Sequence, residues 1–365
     1  MAEPEIPHEI LPEILFERRG GLGLVTLNRP KAMNALTHGM ALALEAQLDA
    51  WADDGSVAVV AIRGAGDRAF AAGGDIRALY DAGRPDGPGD GRRNFRFFAD
   101  EYRLNAKIKR YAKPYVGLMD GVVMGGGVGI SVHGSRRVAG DRTVFAMPET
   151  GIGLFPDVGA TWFLPRLPGQ TGMWLGLTGA RLKTADAVAC GVCDLHVASG
   201  AMGDLIDGLS RIEPGAREPL HAVDDVLAAL RVTPEGVTVL DRHAERIDRC
   251  FAGDSVEAVL AALEAEGDDW SAGQRAAILT KSPSSTRIAF RQIREGARLD
   301  FEDCMRLEYR LARYCMTHHD FYEGVRAVIV DKDNQPRWQP ATLAEATDAF
   351  VAEAFVPLGG DELRL

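Results

Sequence analysis

Glu149 and Asp157 stand in "FAMPETGIGLFPDVGA" (145–160), a stretch otherwise built of apolar residues, Gly, Pro and one Thr. Acidic groups set into such a wall point to general acid–base or nucleophilic chemistry. Two plainer roles compete. Glu149 is placed to cap a helix N-terminus, and Asp157 to cap a helix over "VGATWFL". Three glycine-rich turns precede helices: "FAAGGDIRALYD" (70–81), "MDGVVMGGGVGISVHG" (119–134) and "PETGIGLFPDVGATWFLPRL" (148–167). Such a turn lets backbone approach a ligand and presents unpaired N–H groups at the positive end of a helix dipole. Two of them can aim two N–H groups at one developing oxyanion, as acyl chemistry requires. Tight packing of strand against helix is the plainer use of any single one.

Other patterns carry less. None of the turns fits a dinucleotide or P-loop fingerprint in the required context. Ser131 and His133 lie two apart on one helix, so they face different ways and make a poor catalytic pair. His133 reads as a satisfied, semi-buried histidine. His318, His319 and Asp320 are adjacent on one element and diverge, which argues against a single-metal site. Cys190 and Cys193 form a C-x-x-C with only His196 near. With five cysteines in the chain, buried free thiols are expected rather than zinc ligands or a disulfide framework.

The elements that must position these groups follow from pattern. "EILFERRGGLGLVTLNRP" reads as two strands around Gly20-Gly21, and "THGMALALEAQLDAWADD" as a helix capped by Thr37. "VAVVAIRG" and "PYVGLMDG" are strands, the first a buried one. Asp75 opens the helix "IRALYDAG". "GRPDGPGDG" (83–91) is a surface loop by composition. "RNFRFFADEYRLNAKIKRYA" is an amphipathic helix, "GGGVGISVHGS" a turn entering a helix, and "RRVAGDRTVFAMPE" two more strands. Beyond Gly200 strand signals fade and Ala- and Leu-rich helices follow. "KSPSST" opens a further helix, "FEDCMRLEYRLARYCMTHHD" is a long one, and "ATLAEATDAFVAEAF" ends the chain as a helix capped by Thr342. The expected organisation is an α/β front over residues 8–200 and a helical region over 201–365.

Composition narrows the partners. The chain has 365 residues, 46% hydrophobic and 25% charged, with a formal net charge of -11. That profile fits a soluble globular protein and argues against a nucleic-acid partner, which would favour a basic face. It leaves room for an anionic small ligand held by a few local Arg and Lys. No apolar run approaches the roughly 20 residues of a membrane span. "MAEPEIPHEI" has neither the basic start of a secretory signal nor a transit-peptide pattern, so a cytoplasmic location is expected.

The blocks "LNRPKAMNAL" (27–36), "AFAAGGDIR" (69–77), "PYVGLMDG" through "RLPG" (114–169), "SPSSTRIAFRQI" (282–293), "EYRLARYCM" (308–316) and "HDFYEGVRAVIVDKDNQPRWQP" (319–340) resemble the crotonase (enoyl-CoA hydratase/isomerase) superfamily. The downstream blocks resemble its hydrolase branch, the 3-hydroxyisobutyryl-CoA hydrolases. The resemblance implies an α/β fold, a crotonase (ClpP/crotonase-like) spiral of β-β-α units with a helical C-terminal region. It implies thioester hydrolysis of a 3-hydroxyacyl-CoA in valine catabolism, with no metal or redox cofactor, coenzyme A being part of the substrate. Gly74 and Gly126 fall at the two oxyanion N–H positions. Lys31, Ala32 and Asn34 fall in the CoA-lining segment, and Gly73, Gly74, Asp75, Ile76 and Arg77 beside the thioester arm. Arg29, Lys31, Arg68 and Arg77 are local charges for the CoA phosphates. Glu101 matches a carboxylate that contacts the substrate hydroxyl.

The same resemblance gives the two acids a role. In hydratases of the superfamily one glutamate follows the Gly triplet by two residues; here that place is Gly129. The other matches Glu149. Asp157 replaces a Gly of the hydratase pattern. One hydration carboxylate is missing and another has appeared elsewhere. Thioester hydrolysis needs an activated nucleophile, an oxyanion site and help for the thiolate. Glu149 is then the general base for water or a nucleophile forming a mixed anhydride, and Asp157 positions the 3-hydroxyl or transfers a proton. A hydratase or isomerase, and a non-catalytic acyl-CoA-binding protein, are the rival readings. The superfamily commonly forms trimers or hexamers, a state the longer helical tail could also preclude by covering that surface.

Overall fold

Alternate residues of the strands Val59–Gly64 and Tyr115–Met119 enter two different hydrophobic clusters. Val60, Ile62, Tyr115 and Met119 pack on one side, and Val59, Ala61, Val116 and Leu118 on the other. The period of two in a strand puts apolar side chains on both faces, so these strands are the middle of a covered sheet. The protein, in a computed structural model, is described over residues 12–84, 92–215 and 218–365. Most of the expected loop at 83–91 therefore lies outside the described residues.

The strands are β1 (Ile14–Arg19), β2 (Leu22–Leu27), β3 (Val59–Gly64), β4 (Ala69–Ala72), β5 (Tyr115–Met119), β6 (Val122–Met124), β7 (Arg136–Ala139), β8 (Val144–Ala146), β9 (Leu182–Lys183), β10 (Leu195–Val197) and β11 (Arg231–Val232). They form a seven-stranded sheet in the order β1-β2-β3-β5-β7-β10-β11 and a four-stranded sheet in the order β4-β6-β8-β9. From β2 to β10 the large sheet is parallel; β1 and β11 add antiparallel edges. Each consecutive pair, β3/β4, β5/β6 and β7/β8, sends its first strand to the large sheet and its second to the small one. That is the expected spiral of β-β-α turns.

The helices Met202–Ser210 and Pro219–Leu230 cover one face of the large sheet through Leu205, Ile206, Leu209, Val223 and Leu227. The other face carries the main core. The helix Arg92–Lys109 packs there against Phe301–Cys315, and Pro283–Gly296 against Thr171–Thr178. Helices dominate beyond Gly200 as expected, with β11 as a short remaining strand.

Thr37 caps His38–Asp53 by accepting from Met40 N at 3.2 Å, and Asp75 caps Ile76–Gly83 by accepting from Ala78 N at 3.2 Å, both as expected. Thr342 makes the expected capping contacts, its hydroxyl accepting from Glu345 N at 3.3 Å and its N–H donating to Glu345 Oε2 at 3.1 Å, but the helix expected beyond it is corrected. The last α-helix is Asp348–Val351, capped by Thr347, and residues from 342 form turns. Arg287 Nη2 takes the Leu343 carbonyl at 2.9 Å, which draws that segment out of a helical ladder. All five cysteines are free and buried, and no group of three or more possible metal ligands occurs among the described residues.

Candidate active site

The two glycine turns converge. Gly73 and Gly125 adopt φ of +113° and +45°, conformations closed to side chains at little cost only for glycine. Each is followed by a glycine whose N–H finds no acceptor among the described residues, Gly74 and Gly126. A Cβ placed on Gly126 would stand 3.3 Å from Gly74 N and 2.7 Å from Glu101 Oε1. The two backbone segments and the Glu101 carboxyl therefore meet at one point. Gly126 begins a four-residue helical turn (Gly126–Gly129), so its N–H is unpaired by construction.

That point opens into a cavity of about 480 Å³, the size of a small-ligand site. Gly73, Gly74, Ile76, Glu101, Gly126, Glu149 and Asp157 line it. Seven residues drawn from four separate stretches of sequence are thus brought together. Phe97, Phe98, Ile152 and Leu154 supply apolar wall, and Lys281, Ile329 and Asn334 close it from the C-terminal side.

Other expected ligand-binding residues sit elsewhere. Asn34 is buried as a brace. Its amide donates to Ala65 O at 2.9 Å and Ala69 O at 2.8 Å, and its Oδ1 accepts from Arg29 N at 3.0 Å. Lys31 and Ala32 lie exposed in the short turn before it. Asp75 caps its helix and pairs with Arg29 at 3.1 Å, and Arg77 pairs with Asp81. Arg29 is further held by Glu13. Lys31 and Arg68 are exposed and make no ion pair among the described residues.

The acids are deeply set. Glu149 is 5% exposed, Asp157 3%, Glu101 2% and Glu308 fully buried. Neither capping role holds. Glu149 opens a 3-10 turn without a side-chain cap, and the turn after Asp157 is capped by another residue. Glu308 accepts from Gly159 N at 2.7 Å and from Thr161 N at 2.9 Å. Asp157 instead accepts from Tyr102 Oη at 3.0 Å. His133 donates from its ring toward Val158 O at 2.6 Å and packs edge-on to Phe301. It is buried, and burial holds its pKa down to about 3, so it is neutral and structural. Ser131 bonds back to Gly127 O, and His318 to Tyr314 O.

Burial raises every carboxyl in the group. It pushes Glu101 far up, with the charges of Asp157 and Glu308 adding to it. Glu149 is raised well above its ordinary value by burial, then by Asp157, against its own N–H and that of Gly125. Asp157 is pushed up to about 7 by burial, opposed by the Tyr102 hydroxyl. Glu308 is pushed up to about 8 by burial and then by Asp157, against the two N–H groups it caps. Such a group holds protons at neutral pH and can both give and take them.

Gly129 has no room for a carboxylate. A Cβ there would stand 2.7 Å from Asn105 Nδ2 and 2.7 Å from Val158 Cβ. Val158 itself sits at φ +53°, a strained conformation for a β-branched residue, directly after Asp157. The turn that offers Asp157 to the cavity is the turn that fills the space beside Gly129.

A family model described as enoyl-CoA hydratase/isomerase matches residues 22–355. The chain belongs to that family. The protein named 3-hydroxyisobutyryl-CoA hydrolase, mitochondrial, of Gallus gallus is 45% identical over 354 residues, 97% of this chain and 91% of its own. The protein of the same name in Homo sapiens is 40% identical over 96% of this chain and 90% of its own. A structure described as a carnitinyl-CoA dehydratase from Mycobacterium thermoresistibile superposes with a TM-score of 0.88 at 42% identity, covering 96% of this chain and 98% of that one. One described as an enoyl-CoA hydratase from Rhodobacter sphaeroides 2.4.1 superposes with 0.87 at 37%, covering 97% of this chain and all of that one. These likenesses agree with the crotonase fold expected from the sequence.

Sequence reasoning missed Tyr102, Asn105, Glu308 and Lys281. Asn105 lies one helical turn after Glu101 in "DEYRLN", and that spacing was the available signal; Tyr102 lies one step away, where helical spacing gives none. Glu308 reads as an ordinary helix residue in "EYRLARYCM". Its burial is decided by which helix covers it.

Proposed function

We propose that the protein hydrolyses the thioester of 3-hydroxyisobutyryl-CoA to 3-hydroxyisobutyrate and CoA, a step of valine breakdown, with 3-hydroxypropionyl-CoA as a related substrate. One observation carries the reading. Asn105 and Val158 block a carboxylate at Gly129, so the two-glutamate arrangement for hydration cannot form, while Glu149 and Asp157 both face the cavity. The hydrolase relatives, at 40–45% identity over nearly the whole chain, support it.

In this reading the N–H groups of Gly74 and Gly126 receive the thioester oxygen as it becomes an oxyanion. Glu149 takes a proton from water, or attacks the carbonyl carbon to give a mixed anhydride that water then opens. Asp157, with Glu101, reads the 3-hydroxyl or returns a proton to the departing thiolate. Gly73, Asp75, Ile76 and Arg77 run beside the thioester arm, and Lys31, Ala32 and Asn34 belong to the segment that meets CoA. Protein groups and water carry every step, and coenzyme A arrives with the substrate. The cytoplasm is the proposed compartment, although the vertebrate relatives are named mitochondrial; fractionation against a matrix marker decides that point. A homotrimer or hexamer is the proposed assembly, read by light scattering.

The test is free-thiol release from 3-hydroxyisobutyryl-, 3-hydroxypropionyl-, crotonyl- and acetyl-CoA, with crotonyl-CoA also followed by its enoyl absorbance. Thiol release confined to the 3-hydroxyacyl thioesters is expected. Glu149→Gln should lower kcat by about 10²–10⁴-fold. Loss of enoyl absorbance without thiol release would move the protein to the hydration chemistry named for its structural relatives.

A further inference from the structure

The proposed reaction asks Glu149 to be charged, and its surroundings oppose this. It faces Asp157 from the turn that follows it, Glu101 from the helix Arg92–Lys109 and Glu308 from the helix Phe301–Cys315. All three are acids. Two cationic side chains line the cavity among the described residues, Arg181 and Lys281. Arg181 is exposed, whereas Lys281 is half-buried.

The placement of Lys281 is built into the backbone. The next residue, Ser282, donates its N–H to Thr150 O at 3.1 Å, which stitches this segment to the turn carrying Glu149. Ser282 is fixed in turn. Its hydroxyl donates to Asp320 Oδ2 at 2.6 Å and accepts from Ser285 N at 3.1 Å, capping the helix Pro283–Gly296. The Lys281 ammonium then lies in a slot between two glycines. A Cβ on Gly151 would stand 3.6 Å from Nζ, and one on Gly179 3.7 Å. Gly179 ends the helix Thr171–Thr178, so the slot lies at a helix C-terminus, where a cation is favoured. Lys281 Nζ makes no hydrogen bond or ion pair among the described residues. Burial lowers its pKa, and the Glu149 charge opposes this.

We propose that Lys281 is the positioning residue of the catalytic carboxylate: its ammonium holds Glu149 in the charged form that can act as base or nucleophile. The inference rests on the thioesterase reading, and it gives a purpose to a cation held beside the cavity without a partner. Lys281 keeps its own proton throughout and transfers nothing. Removing its charge leaves Glu149 with three acids and, as the remaining cation of the lining among the described residues, the exposed Arg181.

Thiol release from 3-hydroxyisobutyryl-CoA should be measured from pH 5 to 9 for the parent protein and for Lys281→Met, Lys281→Gln and Lys281→Arg. Infrared titration of the protonated-carboxyl band that Glu149→Gln deletes should accompany it. In the Met and Gln variants the acidic limb of kcat is expected to move up by about 1–2 pH units, the size of one nearby charge at an effective dielectric near 20. At pH 6 that is a loss of about 10–100-fold, recovered toward alkaline pH. The infrared band should persist to correspondingly higher pH. Lys281→Arg should stay within about threefold across the range, with its acidic limb unmoved, because the charge is retained. Limb and band unmoved in the neutral variants would overturn the proposal, as would a rise in KM alone. If the neutral variants do not fold, Lys281→Arg decides: an acidic limb and infrared band that move up by about 1 pH unit or more in spite of the retained charge overturn it. A parent protein that releases no thiol refutes the hydrolase reading, and the infrared titration still decides the role of Lys281.

Discussion

Glu101, Glu149, Asp157 and Glu308 are four carboxyls packed out of water, and the Asp157 charge raises the proton affinity of the other three. A carboxyl whose folded pKa lies above its unfolded value near 4 contributes stability that is complete below pH 4 and is lost as pH rises through the folded value. For Asp157 the loss runs from about pH 4 to its raised value near 7. Asp157→Asn removes the charge, keeps an oxygen for the Tyr102 hydroxyl and relieves the other three acids. It should therefore stabilise the protein relative to the parent, and the gain should grow by on the order of 2 kcal/mol between pH 5 and pH 8. Denaturant melts at both pH values check this; a gain independent of pH would mean that Asp157 is not a charged group forced into burial. The same variant should lose thioesterase activity, since the site is destabilised for the sake of its chemistry.

At the scale of elements, the turn 156–159 is held from three directions. Glu308 takes the N–H groups of Gly159 and Thr161, Gln292 donates to Pro156 O, and His133 reaches Val158 O. Glu308 and Gln292 come from two different helices and His133 from the turn after Gly126–Gly129, so the strained φ of Val158 is offset by partners remote in sequence. Glu308→Ala strips two buried N–H groups of their acceptor, which costs about 2–5 kcal/mol. It should also lower kcat through Asp157 without touching substrate. Unfolding melts and kinetics on one preparation test both parts. Unchanged stability would mean that water or another side chain replaces the carboxylate.

At the scale of the molecule, the main core runs from Ile14 to Leu363 as one cluster, and residues before and after 200 share the cavity wall. A core continuous across a boundary in sequence favours cooperative melting. Calorimetry should show a single transition whose calorimetric and van't Hoff enthalpies agree. Two separated transitions would instead mark residues 201–365 as an independent unit. No helix among the described residues is long and apolar enough to cross a membrane.

The spiral of strand pairs, the Thr37 and Asp75 caps and the glycine turns were legible because each rests on local rules: side-chain period, capping chemistry and the backbone freedom of glycine. Glu149 and Asp157 were legible as site candidates because acids are conspicuous in an apolar stretch, and Glu101 because its block matched a known pattern. The Thr342 cap forms, but the helix expected after it stops within a turn, where a tertiary partner, Arg287, claims the Leu343 carbonyl. Tyr102, Glu308 and Lys281 were silent for a related reason. Local sequence lets a polar residue on a helix, or in the turn before one, face water or core equally well. Which of the two it faces was decided only when the helices Arg92–Lys109, Pro283–Gly296 and Phe301–Cys315 closed over the glycine turns, since burial, and with it the charge state of every acid in the cavity, is a property of what packs on top.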